Sequence, residues 1–164
     1  KNIMINLDCD ELRKRVIYSE ESYLKTILSD IIETSIKLTD IGSINIRVIN
    51  PDINTVKSRG LDVPMGAYDS SYVMITIKDS GMGLPEADLD GLFEPYVQLD
   101  KTNRKNFVRT LALGTANVLL RKINGVMWAE SEVMKGTSFN VIIPIDKYEP
   151  QVNDDFEDFY SEEE

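Results

Sequence analysis

Residues 72–85, YVMITIKDSGMGLP, constrain this chain more than any other stretch. Tyr72-Val73-Met74-Ile75-Thr76-Ile77-Lys78 has the pattern of a regular strand, and it runs without a linker into Asp79-Ser80-Gly81-Met82-Gly83-Leu84-Pro85. An aspartate ending a strand beside two spaced glycines puts a carboxylate at the floor of a pocket. The glycines let the backbone turn and lie close against a flat ligand. Taken alone, D-x-G-x-G also fits a tight strand-to-helix turn, so its surroundings decide its meaning.

Those surroundings alternate strands with helices. Further strands are expected at Ile3–Leu7, Arg15–Tyr18, Ile44–Val48, Val126–Glu130 and Phe139–Ile143. The strongest helix is expected from about Glu20 to Leu38, capped by Ser19, with Leu24, Ile27, Leu28, Ile31, Ser35 and Leu38 as its buried stripe. Thr39, Asp40 and Gly42 stop it. Asp30, Thr34 and Lys37 fall on another face at helical spacing, close enough to act together. Shorter helices are expected over Glu86–Phe93 and from about Gly114 to Ile123, the second ended by Asn124-Gly125. Asn50–Ser71, with its prolines and glycines, reads as a long mobile loop between neighbouring strands. These elements predict a two-layer α/β sandwich: a mixed, mostly antiparallel sheet covered on one face by about three helices.

Composition excludes several functions. The chain of 164 residues has no histidine, which removes His-based acid–base chemistry, Ser-His-Asp triads and His-containing zinc sites. The single Cys9 excludes an internal disulfide and fits a reducing, cytoplasmic setting. No apolar run is long enough to span a bilayer, so no membrane contact is expected of this domain. The first residue is Lys1 and no leader pattern follows, so a piece of a larger protein is expected. The net charge is −10, but Glu149–Glu164 holds eight acids and no base, which leaves the rest nearly neutral. Residues 1–148 therefore read as the folded domain and 149–164 as a disordered acidic tail or linker. Phe156, Phe159 and Tyr160 leave open an acidic-aromatic docking motif in that tail. Such a segment would be repelled by nucleic acid, and no nucleic-acid partner is expected.

The ordered set of motifs resembles the catalytic, ATP-binding domain of sensor histidine kinases, in the group with DNA gyrase, Hsp90 and MutL (the Bergerat fold). LKTILSDIIETSIKLTDIGSINIRV (24–48) is similar to that family's N box, DSGMGLP to its G1 box, and Leu92-Phe93-Glu94-Pro95-Tyr96 to its F box. Leu113-Gly114-Thr115 stands at the second glycine box. Trp128-Ala129-Glu130-Ser131 with Lys135-Gly136-Thr137-Ser138-Phe139 resembles the closing hairpin.

The resemblance implies binding of ATP or ADP, with Asp79 accepting from the adenine amino group, Gly81 and Gly83 against the base, and Thr137 beside the aspartate. It implies magnesium near the second N-box asparagine, which is Thr34 here, a shorter and differently placed oxygen. The first N-box asparagine is Asp30, a candidate base or an ordinary helix-surface acid. Lys37 keeps the family's lysine and either reaches a phosphate or is solvated. The family's glycine-rich lid is replaced by residues 98–113 (QLDKTNRKNFVRTLAL), glycine-free until Gly114. Its cations Lys101, Arg104, Lys105 and Arg109 either take over phosphate holding or line a solvated loop. Implied partners are an acceptor-histidine dimerisation domain in the same protein and a response regulator. With a metal ligand and the lid glycines altered together, the expectation is adenine binding with impaired phosphoryl transfer; the alternatives are a fully active kinase domain that phosphorylates a histidine on a separate helical domain, or a nucleotide-independent scaffold.

Overall fold

A computed structural model describes residues 1–13, 17–89, 91–94 and 104–145, the last stretch by backbone alone before residue 112. One five-stranded sheet organises it. Strand β1 (Asn2–Asp8) runs parallel to β2 (Ile41–Ile49), and helix α1 (Glu21–Leu38) is the crossover that parallel neighbours require. Strand β3 (Tyr72–Asp79) pairs antiparallel with β2 and with β5 (Gly136–Pro144), while β4 (Val126–Glu132) closes the other edge as a hairpin with β5. The spatial order is β1-β2-β3-β5-β4, a mixed and mostly antiparallel sheet.

Alternation along the strands divides the apolar residues between two faces. Val73, Ile75 and Ile77 of β3, with Phe139, Val141 and Ile143 of β5, turn towards Ile27, Ile31 and Leu38 of α1. They also meet Leu113, Ala116 and Leu120 of a second long helix, Arg104–Lys122. Each fully buried aliphatic chain here contributes roughly 1.5–3 kcal/mol. The other face is covered where a bare loop was expected. Within 50–71 lies helix α2 (Ile53–Ser58), capped by Asp52, whose carboxylate accepts from Thr55 N at 3.0 Å. Its Val56 is buried against Tyr72 and Ile142, with Met74 and Trp128 beside them. Five apolar side chains in that segment (Ile53, Val56, Leu61, Val63, Ala67) pin it to the sheet.

Other expectations shift at their edges. α1 starts after Glu20 rather than on a Ser19 cap, and no side-chain cap bond forms there. At its far end the Lys1 ammonium donates to the carbonyls of Ile36 (2.9 Å), Lys37 (3.2 Å) and Thr39 (3.0 Å), satisfying groups the helix leaves open. The Arg15–Tyr18 strand does not form at Ile17 and Tyr18, where Tyr18 N makes one backbone bond to Ile145 O at 3.2 Å; Arg15 and Val16 lie outside the described residues. The Glu86–Phe93 helix is a single turn, α3 (Glu86–Leu89), because Gly91 takes φ 74° and redirects the chain. The last helix, α4 (Arg104–Lys122), begins ten residues before Gly114, so Gly114 is a buried interior residue and not a helix start. The acidic tail lies outside the described residues.

Candidate functional site

Strand β3 carries the site to the end of the sheet. Ile77 points into the core, so Asp79, two residues on, faces the same helix-covered side and is only 1% exposed. Its two oxygens have different surroundings. Oδ1 accepts from Gly81 N at 2.9 Å and from Thr137 N at 3.2 Å. Oδ2 is buried and has no hydrogen-bond partner among the described residues. Burial pushes the carboxyl pKa above the usual aspartate range, and the two amide bonds only partly offset it. A buried acceptor left open in this way is costly to the empty domain.

The two glycines have a stricter role than approach to a ligand. A Cβ at Gly81 would lie 2.3 Å from the Leu38 carbonyl and 2.9 Å from Asp79 Oδ1, so only glycine passes beneath the end of α1. Gly83 takes φ +68°, and a Cβ there would strike the Glu132 carbonyl at 2.1 Å. Both are required first by the protein's own backbone. Thr137, 1% exposed, sits beside Asp79 on β5, and its hydroxyl meets Ser131 Oγ at 2.8 Å. Sequence reasoning did not single out Ser131, although the Ser131–Thr137 cross-strand pairing follows from a hairpin turning at residues 133–135. Asp79, Gly81, Gly83 and Thr137 thus converge on one corner.

The α1 residues form a separate group. Thr34 is 2% exposed and lies on the buried stripe, not on an outer face with Asp30 and Lys37. Its hydroxyl donates to the Asp30 carbonyl at 2.7 Å, a back-bond within the helix. The Asp30 carboxyl is raised by burial and by Glu33, against the opposing pull of Lys37. Lys37 itself reaches Glu33 at 3.5 Å, an exposed pair of little energetic weight. The two groups are linked through backbone, with Met82 N donating to Leu38 O at 3.5 Å.

Magnesium prefers carboxylate and water oxygens in strict octahedral geometry. Among the described residues no three His, Cys, Asp or Glu side chains are placed to hold a metal ion. Thr34 Oγ1, buried and donating to the Asp30 carbonyl, and the half-buried Asp30 carboxylate are the oxygens α1 offers on this side. On α4, Gly114 is buried within the helix, where its N–H belongs to the helical ladder rather than to an open helix start. Arg104 and Lys105 open the first turn of α4, and Lys101 lies outside the described residues.

The mixed sheet thus carries helices on it and a half-satisfied carboxylate at the end of its central strand. Residues 19–147 match the family of histidine kinase-, DNA gyrase B- and HSP90-like ATPases (HATPase_c), and the chain belongs to that family. Among curated relatives it is 27% identical over 146 residues to the autoinducer 2 sensor kinase/phosphatase LuxQ of Vibrio vulnificus, covering 88% of this chain and 15% of that protein. It is 28% identical over 123 residues to the sensor histidine kinase RcsC of Escherichia coli K12, covering 74% of this chain and 11% of that protein. The chain thus spans a small part of these relatives.

Among solved structures, the nucleotide-free catalytic domain of histidine kinase ThkA superposes with a TM-score of 0.61 at 20% identity, over 88% of this chain and 79% of that one. Full-length ShkA in complex with AMPPNP gives 0.63 at 20% identity, over 87% and 25%. At these identities the likeness is one of fold. No helix among the described residues is long and apolar enough to cross a membrane.

Proposed function

We propose that this is the ATP-binding domain of a sensor histidine kinase that keeps adenine recognition while handling phosphates and magnesium poorly. The observation that carries the reading is the open Oδ2 of Asp79 in a buried corner, an acceptor with the chemistry to take an N–H of the adenine amino group. A base without that donor leaves the carboxylate unsatisfied, which favours ATP and ADP over other nucleotides.

Three features support weakened catalysis. Thr34 stands where the family has an asparagine, and it offers a shorter oxygen held against the helix by its bond to Asp30 O. Helix α4 runs back to Arg104 through the segment where the family has free glycine amides. Asp30, the candidate base, shares its helix face with Glu33 and Lys37 rather than with Asp79. Phosphoryl transfer depends on positioning and charge neutralisation at the same γ-phosphate, so these losses compound. In a working relative the phosphate goes to a histidine on a separate helical domain of the same protein and then to a response regulator. We assign this domain a cytoplasmic place in such a chain, as a scaffold or a slow kinase.

Calorimetric titration with ATP and ADP, with and without magnesium, tests the binding half. Micromolar adenine-nucleotide binding that changes little with magnesium is the expected result; no binding at all overturns it. Labelling from radioactive ATP after joining the domain to its acceptor-histidine domain tests the other half. Little label is expected. Robust labelling that disappears when Lys101, Arg104, Lys105 and Arg109 become alanine would mean that side chains have rebuilt the lid, and the impaired reading would go.

A further inference from the structure

The two edges of the sheet differ in how they are protected. β4 carries Glu130 and Glu132, charges that discourage another strand from adding beside it. β1 has no such device. From Asn2 to Leu7 (NIMINL) it holds no charge, no proline and no bulge, and its seven residues pair with β2 in unbroken register. Among the described residues nothing pairs with its outer side. The backbone N–H and C=O groups there stand open, and an extended strand is the partner they fit. Met4, Ile5 and Leu7, with Ile41 of β2 beside them, are each more than half exposed. Ile5 and Leu7 sit alongside Ile44 and Ile46, so with Ile3 they lie on the helix-covered face. Asn2, Met4, Asn6 and Asp8 lie on the other.

We propose that β1 pairs antiparallel with β1 of a second copy, joining two five-stranded sheets across a two-fold axis. An axis normal to the sheet keeps the helix-covered faces on one side, so only registers that match faces are open. With Ile5 on the axis, Ile3 meets Leu7 across it, Met4 meets Asn6, and the Asn2 amide meets the Asp8 carboxylate as a donor. Apolar side chains then face each other on the helix side, and no like charges are opposed. Charge also selects this occupant over the chain's own acidic tail. Asp40 lies near the start of the strand, Asp8, Asp10 and Glu11 at its end, and the nearby bases are taken: Lys1 by Asp40 at 3.4 Å and Arg47 by Glu11 at 2.7 Å. Residues 149–164, with eight acids and no base, are repelled there, whereas a second NIMINL is not. Seven paired residues bury less than a standard interface, so the pair is weak, with a Kd on the order of 100 μM. Both Asp79 corners stay open, because β3 lies two strands in from the joint.

Sedimentation equilibrium of the whole chain, from about 10 μM to about 1 mM, reads the pairing. The wild type should approach the dimer mass at the upper end. Ile5→Lys and Ile5→Glu should each stay monomeric, and mixing the two should restore the dimer, because on the axis residue 5 faces itself. If these variants do not fold, Leu7→Lys must abolish pairing in their place, while Met65→Lys, at an exposed site outside the strand, must not. A wild type that is monomeric throughout overturns the proposal; if it dimerises only after residues 149–164 are deleted, the edge belongs to that segment. A dimer that survives Ile5→Lys lies elsewhere on the surface and overturns it as well. Folded Ile5 variants that stay monomeric when mixed overturn the pairing about Ile5. ATP titration of Ile5→Lys, expected to match the wild type, keeps this outcome separate from the nucleotide reading.

Discussion

Asp79→Asn separates folding from recognition at one atom. The asparagine keeps a carbonyl oxygen where Oδ1 accepts from Gly81 N and Thr137 N, so the loop and the β3–β5 contact keep their hydrogen bonds. At Oδ2 it replaces a charged acceptor with an NH2 donor, facing a ligand amino group with like polarity. A hydrogen bond to a charged group contributes about 1.5–3 kcal/mol, so ATP affinity should fall by roughly one to two orders of magnitude. The ligand-free protein should respond in the opposite sense. Burial raises the Asp79 pKa in the folded state above its unfolded value of 3.8. The folded state then binds the proton more tightly, so this group's stability contribution is full below that value and is lost as pH rises through the folded pKa. At neutral pH the ionised aspartate is a net cost to the empty domain, and Asp79→Asn should leave the melting temperature unchanged or higher while flattening its dependence on acid pH. Calorimetry with ATP and thermal melts between pH 3.5 and pH 7 measure both halves. Equal ATP affinity in the two proteins would refute the role of Oδ2, and a large drop in melting temperature would show that the carboxylate is structural.

Further outcomes follow from other residues. Thr34→Asn should make ATP affinity magnesium-dependent at some cost in stability, since position 34 is 2% exposed; a native protein that binds ATP tightly and only with magnesium contradicts this. Met134 holds φ 66° with its side chain 79% exposed, so Met134→Gly should relieve backbone strain and raise stability by up to about 1 kcal/mol in urea unfolding. A loss would mean that the methionine side chain packs. Deleting Glu149–Glu164 should leave the melting temperature nearly unchanged, because three aromatics cannot offset ordering entropy and the mutual repulsion of eight acids. A fall of several degrees would place the tail on the domain.

Strand alternation and helix periodicity are local properties, which is why the sheet, α1 and the family are legible from residues in order. The Asp79 corner is legible for the same reason: strand, carboxylate and glycines are contiguous, and Thr137 lies in a hairpin with its own pattern. Other features depend on what a segment meets. Residues 50–71 look like a loop until the far face of the sheet supplies a partner for Val56. Thr34 seems outward by spacing, but α4 and the sheet enclose that side of α1. Helix α4 reaches back to Arg104 because nothing in its glycine-free approach interrupts a helix already anchored by Leu113, Ala116 and Leu120. Gly81 needs to be glycine because the Leu38 carbonyl, 43 residues earlier in the chain, lies over it. The sequence by itself determined the main strands, α1 and the contiguous Asp79 turn. Which oxygen of Asp79 is left open was decided by tertiary structure, because hydrogen-bond partners are set by distances between strands that no local pattern specifies.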